Sequence, residues 1–129
     1  MKHLTPKETY AYLQAHPEAL FVDCRTEMEF FYVGHPAGVA HVAWQEAPDW
    51  EVNPQFAAEV LREAGGKARP VVLICRSGNR SVDAGEALEA AGFEDVVNVL
   101  YGFEGELDQQ HHRNAVNGWR HDGLPWEQM

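Results

Sequence analysis

The chain has 129 residues, 45% of them hydrophobic, which suits one domain with one core and leaves no room for a second. Twenty acidic against ten basic side chains give a formal charge of −10, a surface that repels phosphate backbones and argues against nucleic-acid binding. Met1 to Pro6 lacks the apolar core of a secretion signal and no stretch approaches the ~20 apolar residues of a membrane span, so no membrane association is expected and the cytoplasm is the expected location.

Thr5-Pro6-Lys7-Glu8 opens a helix that runs to about Ala15, with Thr5 as N-cap, Pro6 at the first helical position and Glu8 three residues after the cap. Leu20 to Cys24 reads as a strand, and Thr26 to Val33 as a short helix carrying Glu29, Phe30 and Phe31. After Gly34-His35-Pro36 a short strand is expected over Val39 to Val42. Ala47 to Glu51 is a loop, and Asn53-Pro54 starts a helix whose buried face is Phe56, Val60 and Leu61, ending at Gly65-Gly66. Val71 to Ile74, aliphatic throughout and preceded by Pro70, reads as a strand buried on both faces with Cys75 at its carboxyl end. Ser81 to Ala91 follows as a helix, with Val82, Ala84, Gly85, Leu88 and Ala91 as its apolar stripe and Gly92 as its stop. Val96 to Leu100 is the last clear strand, and helical potential returns over Asn114 to Arg120. Strands alternating with helices imply an α/β fold, a parallel sheet covered by helices on both faces, with ligands at the carboxyl ends of the strands.

Cys75 lies at such an end, and the loop after it, Arg76-Ser77-Gly78-Asn79-Arg80-Ser81, is small, polar and cationic. Unpaired N–H groups at the start of the following helix, its dipole and the guanidinium groups of Arg76 and Arg80 all favour negative charge beside the sulfur. Such surroundings bring a thiol pKa from about 8.5 to somewhere between roughly 3.5 and 7.5, so Cys75 is expected to be largely thiolate at neutral pH. An inert core cysteine is the alternative, and the electropositive loop decides against it. Cys24, inside a strand with no helix start behind it, is read as core filler rather than as a resolving thiol.

Cys75-Arg76-Ser77-Gly78-Asn79-Arg80-Ser81 resembles the active-site loop of single-domain rhodaneses, the thiosulfate and thiol sulfurtransferases. Val22-Asp23-Cys24-Arg25 resembles the first strand of that family with its Asp-x-Arg signature, although Cys24 stands where Val or Ile is usual. Glu29 with Gly34-His35-Pro36-Ala37-Gly38-Val39-Ala40-His41 resembles the segment that follows, and Asn117-Gly118-Trp119-Arg120 with Gly123-Leu124-Pro125-Trp126 a common ending. The resemblance implies a rhodanese-like three-layer α/β fold with a five-stranded parallel sheet. It also implies Cys75 as the catalytic nucleophile, with Arg76, Ser77, Gly78, Asn79, Arg80 and Ser81 binding substrate.

The chemistry such a loop supports is a two-step displacement: a thiolate takes the outer sulfur of a small anionic donor such as thiosulfate, and a thiol or cyanide then removes it from the resulting persulfide. A ring of backbone N–H groups permitted by Ser77 and Gly78 would hold the thiolate and the persulfide, with Arg76 and Arg80 drawing in the donor and the Ser81 hydroxyl donating to sulfur. Two other functions are carried beside this one. The protein could serve as a persulfide carrier for a protein partner. Or it could be a phosphatase, since cell-cycle dual-specificity phosphatases share the fold and hold phosphate in a Cys-x5-Arg loop. Four residues separate Cys75 from Arg80, a tighter ring that suits one sulfur better than a tetrahedral phosphate.

Asp23 and Arg25 read as a structural ion pair, and Trp119 and Trp126 as side chains that pack the tail onto the domain. No Cys-x-x-Cys spacing is present, and His111, His112 and His121 lack companions at metal-ligand spacing, so neither a metal nor another cofactor is expected.

Overall fold

The computed structural model describes residues 1–128. Its elements are β1 (Lys2–Leu4), α1 (Pro6–Ala15), β2 (Leu20–Asp23), a π-helical turn (Glu29–Val33), β3 (His35–Pro36), β4 (Ala40–His41), α2 (Phe56–Ala64), β5 (Val71–Ile74), α3 (Arg80–Ala90), β6 (Val96–Val99) and β7 (Trp126–Glu127). Five strands form one parallel sheet in the order β1-β6-β5-β2-β4, and β3 pairs with β7 in a separate antiparallel ribbon. The α/β architecture with helices on both faces is therefore as the sequence implied.

Period-two alternation along the central strands sorts the core into two layers. Val71, Leu73 and Cys75 face α2 and α3, packing with Val22, Cys24, Phe56, Val60, Ala84 and Leu88. Val72 and Ile74 face the other way, with Phe21, Val97, Val99, Phe103 and Trp119, against Tyr10 and Leu13 of α1. All four residues of β5 are buried, as befits the central strand of a parallel sheet. At the start of α1 the Glu8 N–H donates to Thr5 Oγ1 at 3.2 Å and the Thr5 N–H donates to Glu8 Oε1 at 2.9 Å, the reciprocal box read from the sequence.

Lys2–Leu4, for which the sequence predicts no element, forms β1 at the sheet edge, placed by its pairing with β6 rather than by any pattern of its own. Three expectations need correction. The segment read as a short helix after β2 contains a π-helical turn, whose wider winding leaves Gly34 N–H bonded to Glu29 O at 3.2 Å. Asn53-Pro54 does not begin α2: the Asn53 carboxamide instead accepts from the Gln55 N–H at 3.0 Å, and the helix starts at Phe56. Asn114 to Arg120 forms no helix. Asn114 and Gly118 take φ of 63° and 112°, and a side chain at Gly118 would press on the Gly105 backbone nitrogen at 2.7 Å, so close backbone packing wins over local propensity.

Candidate active site

The site begins where β5 ends. Cys75 is the first residue past the strand, and the chain from Arg76 to Asn79 curls back so that the Gly78 N–H donates to Cys75 Sγ at 3.1 Å. Gly78 makes this curl with φ of 103°, a conformation that suits glycine. A side chain there would also meet the Tyr101 backbone nitrogen at 3.2 Å. The turn after β6 fixes the loop from behind: the Phe103 N–H donates to Cys75 O at 2.8 Å and the Glu104 N–H to Arg76 O at 2.9 Å. Gly102 sits so near that a Cβ would collide with the carbonyl of Cys75.

On the far side of the sulfur lies Ser81 Oγ, 3.2 Å from Cys75 Sγ and fully buried. Its hydrogen is directed to Asn98 Oδ1 at 2.5 Å. Asn98 is on β6 and buried, and its Nδ2 reaches His3 Nδ1 on β1 at 3.2 Å.

Arg80 opens α3, yet its guanidinium is not turned to solvent. It forms a two-pronged pair with Glu29, at 2.7 Å to Oε1 and 2.8 Å to Oε2. Burial pushes the Glu29 carboxyl upward, but hydrogen bonding and charge from Arg80 outweigh it and bring the group down to about 2. Burial likewise opposes the charge on Arg80, and Glu29 more than offsets it, holding Arg80 above its ordinary value.

The two cysteines differ in what touches their sulfur. Both are buried, at 0% and 1% exposure for Cys24 and Cys75. Cys24 Sγ meets only an acceptor, Ile74 O at 3.4 Å, which requires the protonated thiol. Burial, with the neighbouring Cys75 and Asp23, pushes the Cys24 thiol well up. Cys75 Sγ instead receives an N–H. Below the loop, Arg25 and Asp23 form a wholly buried pair, with Arg25 Nη2 2.6 Å from Asp23 Oδ2 and the guanidinium 4.7 Å over the Phe103 ring.

The residues from Cys75 to Ser81 are thus brought together, but three expectations change. One backbone N–H, that of Gly78, bonds the sulfur rather than a full ring. Arg76 stays exposed on the loop while its carbonyl holds the turn, so of the two expected cations only Arg80 changes, being neutralised by Glu29. The Ser81 hydrogen lies on Asn98 and not on sulfur. Trp119 is buried in the core, its Nε1–H donating to Pro125 O at 2.8 Å, while Trp126 lies under the Arg120 guanidinium at 4.9 Å. Among the described residues no cluster of His, Cys, Asp and Glu is arranged to hold a metal ion, and no helix is long and apolar enough to cross a membrane.

Other contributors were not singled out from the sequence. A groove of about 320 Å³ over the loop is lined by Ser77, Asn79, Glu106, Leu107 and Arg113. Arg113 is anchored by its Nη1 on Gly105 O at 2.7 Å, and Glu106 Oε1 accepts from Asn117 Nδ2 at 2.8 Å. The tail that supplies this wall carries no periodic pattern, and only its glycines hint at close packing. A larger hollow, about 370 Å³, lies away from the thiol at the amino ends of β2 and β4, between Tyr10, Leu20, Ala40 and Trp119.

Comparison with known proteins agrees with this fold. The family model described as Rhodanese-like domain matches residues 5–117. The chain is similar to Rv0390 from M. tuberculosis, whose crystal structure superposes with a TM-score of 0.88 at 41% identity over 100% of this chain and 98% of that one. It is also similar to the thiosulfate sulfurtransferase GlpE of Haemophilus influenzae, 28% identical over 81% of this chain and 86% of that protein. Thiosulfate sulfurtransferase 16, chloroplastic, of Arabidopsis thaliana is 29% identical over 81% of this chain and 77% of its own length.

Proposed function

The chain belongs to the rhodanese-like family, and from that premise we propose that it is a sulfurtransferase that moves sulfane sulfur through a persulfide on Cys75. The observation that carries this reading is the Gly78 N–H on Cys75 Sγ at 3.1 Å, inside a loop strung between β5 and the start of α3. In the first step the Cys75 thiolate attacks the outer sulfur of thiosulfate. The sulfur–sulfur bond of the donor breaks, sulfite leaves with its electron pair, and Cys75 becomes an anionic persulfide. In the second step cyanide or a thiolate attacks the terminal sulfur, thiocyanate or a new persulfide departs, and the Cys75 thiolate returns. No external base is needed once the sulfur is anionic. The groove lined by Ser77, Asn79 and Arg113 gives a small anion a path to the loop.

The spacing of four residues between Cys75 and Arg80 supports sulfur over phosphate. Arg80 strengthens the point, since a guanidinium already bonded at both prongs by Glu29 is not free to clasp a phosphoryl group. Intact-mass measurement after incubation with thiosulfate tests the proposal: one added sulfur is expected, removed by cyanide, lost in Cys75→Ser and kept in Cys24→Ser. Loading that persists in Cys75→Ser would overturn it. Loading without steady-state cyanide turnover would mark a sulfur carrier for a protein partner.

A further inference from the structure

The hydrogen bonds behind Cys75 form a line that crosses the sheet: Cys75 Sγ to Ser81 Oγ at 3.2 Å, Ser81 Oγ to Asn98 Oδ1 at 2.5 Å, and Asn98 Nδ2 to His3 Nδ1 at 3.2 Å. Ser81 and Asn98 are buried, so no water competes for them, whereas His3 is exposed at the sheet edge. A serine hydroxyl has one hydrogen. Placed on Asn98 Oδ1, it leaves Ser81 able only to accept from Cys75, which suits a thiol and not a thiolate or persulfide. This direction requires an unprotonated His3 Nδ1, because that nitrogen must accept from Asn98 Nδ2.

A hydrogen on His3 Nδ1, which the imidazolium must carry, reverses every bond in the line. The Nδ1–H then donates to Asn98 Oδ1, which a half-turn of the carboxamide brings to face it. Asn98 Nδ2 donates to Ser81 Oγ, and the Ser81 hydrogen is released to Cys75 Sγ. We propose that His3 and Asn98 are positioning residues that set whether Ser81 accepts from or donates to the sulfur of Cys75, and so couple the anionic state of that sulfur to a proton on the edge strand. No proton travels along the line. The thiol proton leaves to solvent, His3 takes its own from solvent, and only the orientation of three hydrogen bonds is shared. The role of this coupling rests on the sulfurtransferase reading, but alkylation reads the sulfur directly and fails independently of it.

Other charges near both ends are accounted for. At the sulfur, Arg80 is paired with Glu29, and Cys24 is held as a thiol on Ile74 O. Around β1, the Met1 ammonium pairs with Glu89 at 2.8 Å, Lys2 lies 5.6 Å from the Tyr12 ring centre, and Glu8 is bound to Thr5. Asp83 and Glu86 of α3 complete the acidic groups on the helix behind the line, and among the described residues none forms an ion pair with His3.

The test is the iodoacetamide alkylation rate of Cys75, read by peptide mapping from pH 5.5 to 8.5, in the native protein and in His3→Gln, Ser81→Ala and Ser81→Ala/His3→Gln. Protonating His3 favours the donating Ser81, so the native protein is expected to react about fivefold faster than His3→Gln at the acid end of this range, and the two should converge at its alkaline end. With Ser81 gone, the His3 substitution should have no effect at any pH. Equal native and His3→Gln profiles overturn the proposal, and so does a His3 effect that survives in Ser81→Ala, which would be a through-space charge effect. Should Ser81→Ala fail to fold, the native protein still decides the matter. The Asn98 side-chain amide resonances must shift as His3 titrates, and stationary resonances overturn the proposal.

Discussion

Replacing Glu29 with Gln should destabilise the fold while making Cys75 more reactive, two effects of opposite sign from one carboxylate. Glu29 is an acid whose folded-state value is depressed, from 4.5 to about 2, in a pair whose side chains are 17% and 18% exposed. A depressed acid contributes stability above its unfolded value and loses it as pH falls through the folded value, so the contribution is full at pH 5 and above and disappears toward pH 2. That depression corresponds to roughly 3 kcal/mol, and solvent screening together with the bond that Gln still accepts reduces this to about 1–2 kcal/mol. Urea unfolding at pH 7 should therefore show the variant weaker by that amount, with the gap closing as pH is lowered from about 4.5 to 2.5. At the same time Arg80 loses its counter-charge beside Cys75, and iodoacetamide labelling of Cys75 at pH 6 should rise about threefold by release of a positive charge near the thiolate. Unchanged stability at pH 7, a gap as large at pH 2.5 as at pH 7, or slower labelling would refute the reasoning.

Three further outcomes are expected. Iodoacetamide at about pH 6.5 should label Cys75 well before Cys24, because burial keeps Cys24 a thiol and its sulfur faces a carbonyl; peptide mapping that found equal labelling would remove the distinction between the two sites. Arg25→Ala should cost about 3–5 kcal/mol by stranding the buried Asp23 charge, lowering the thermal midpoint by roughly 10–20 °C in calorimetry, and a drop of only a degree or two would show that the pair is not needed. Gly78→Ala should cost about 1–3 kcal/mol from its φ of 103° and should slow sulfur loading at least tenfold by moving the N–H off the sulfur, so native loading in a folded variant would count against that N–H.

What could be read from the sequence is what the chain keeps local. β5 is an unbroken aliphatic run, Cys75 follows it directly, and the loop and α3 come next in order, so strand, thiol and helix start were placed without knowledge of any distant contact. What could not be read depends on partners far along the chain. Arg80 looks like a free cation until Glu29, 51 residues earlier, closes on both of its prongs. Ser81 looks like a donor to sulfur until Asn98 takes its hydrogen. His3 has no visible purpose until β1 pairs with β6 and sets it across from Asn98, 95 residues away.

These long-range contacts change the electrostatics of the site rather than its outline. The local motif suggests two guanidinium groups converging on the thiolate, whereas the folded chain neutralises one of them with the half-buried Glu29 carboxylate. An anion approaching a chain of net charge −10 then meets the two guanidinium groups near the loop that form no carboxylate pair among the described residues, Arg76 on the loop itself and Arg113 across the groove. Arg113 lies between Leu100 and Asn114, a stretch for which the sequence predicts no helix or strand. It is held at the groove because the turn after β6 binds the carbonyls of Cys75 and Arg76 and carries Gly105, whose own carbonyl anchors the Arg113 guanidinium. The same backbone turn therefore fixes the Cys75 thiol and the cation across the groove, so a change that loosens Gly102 or Gly105 disturbs both together.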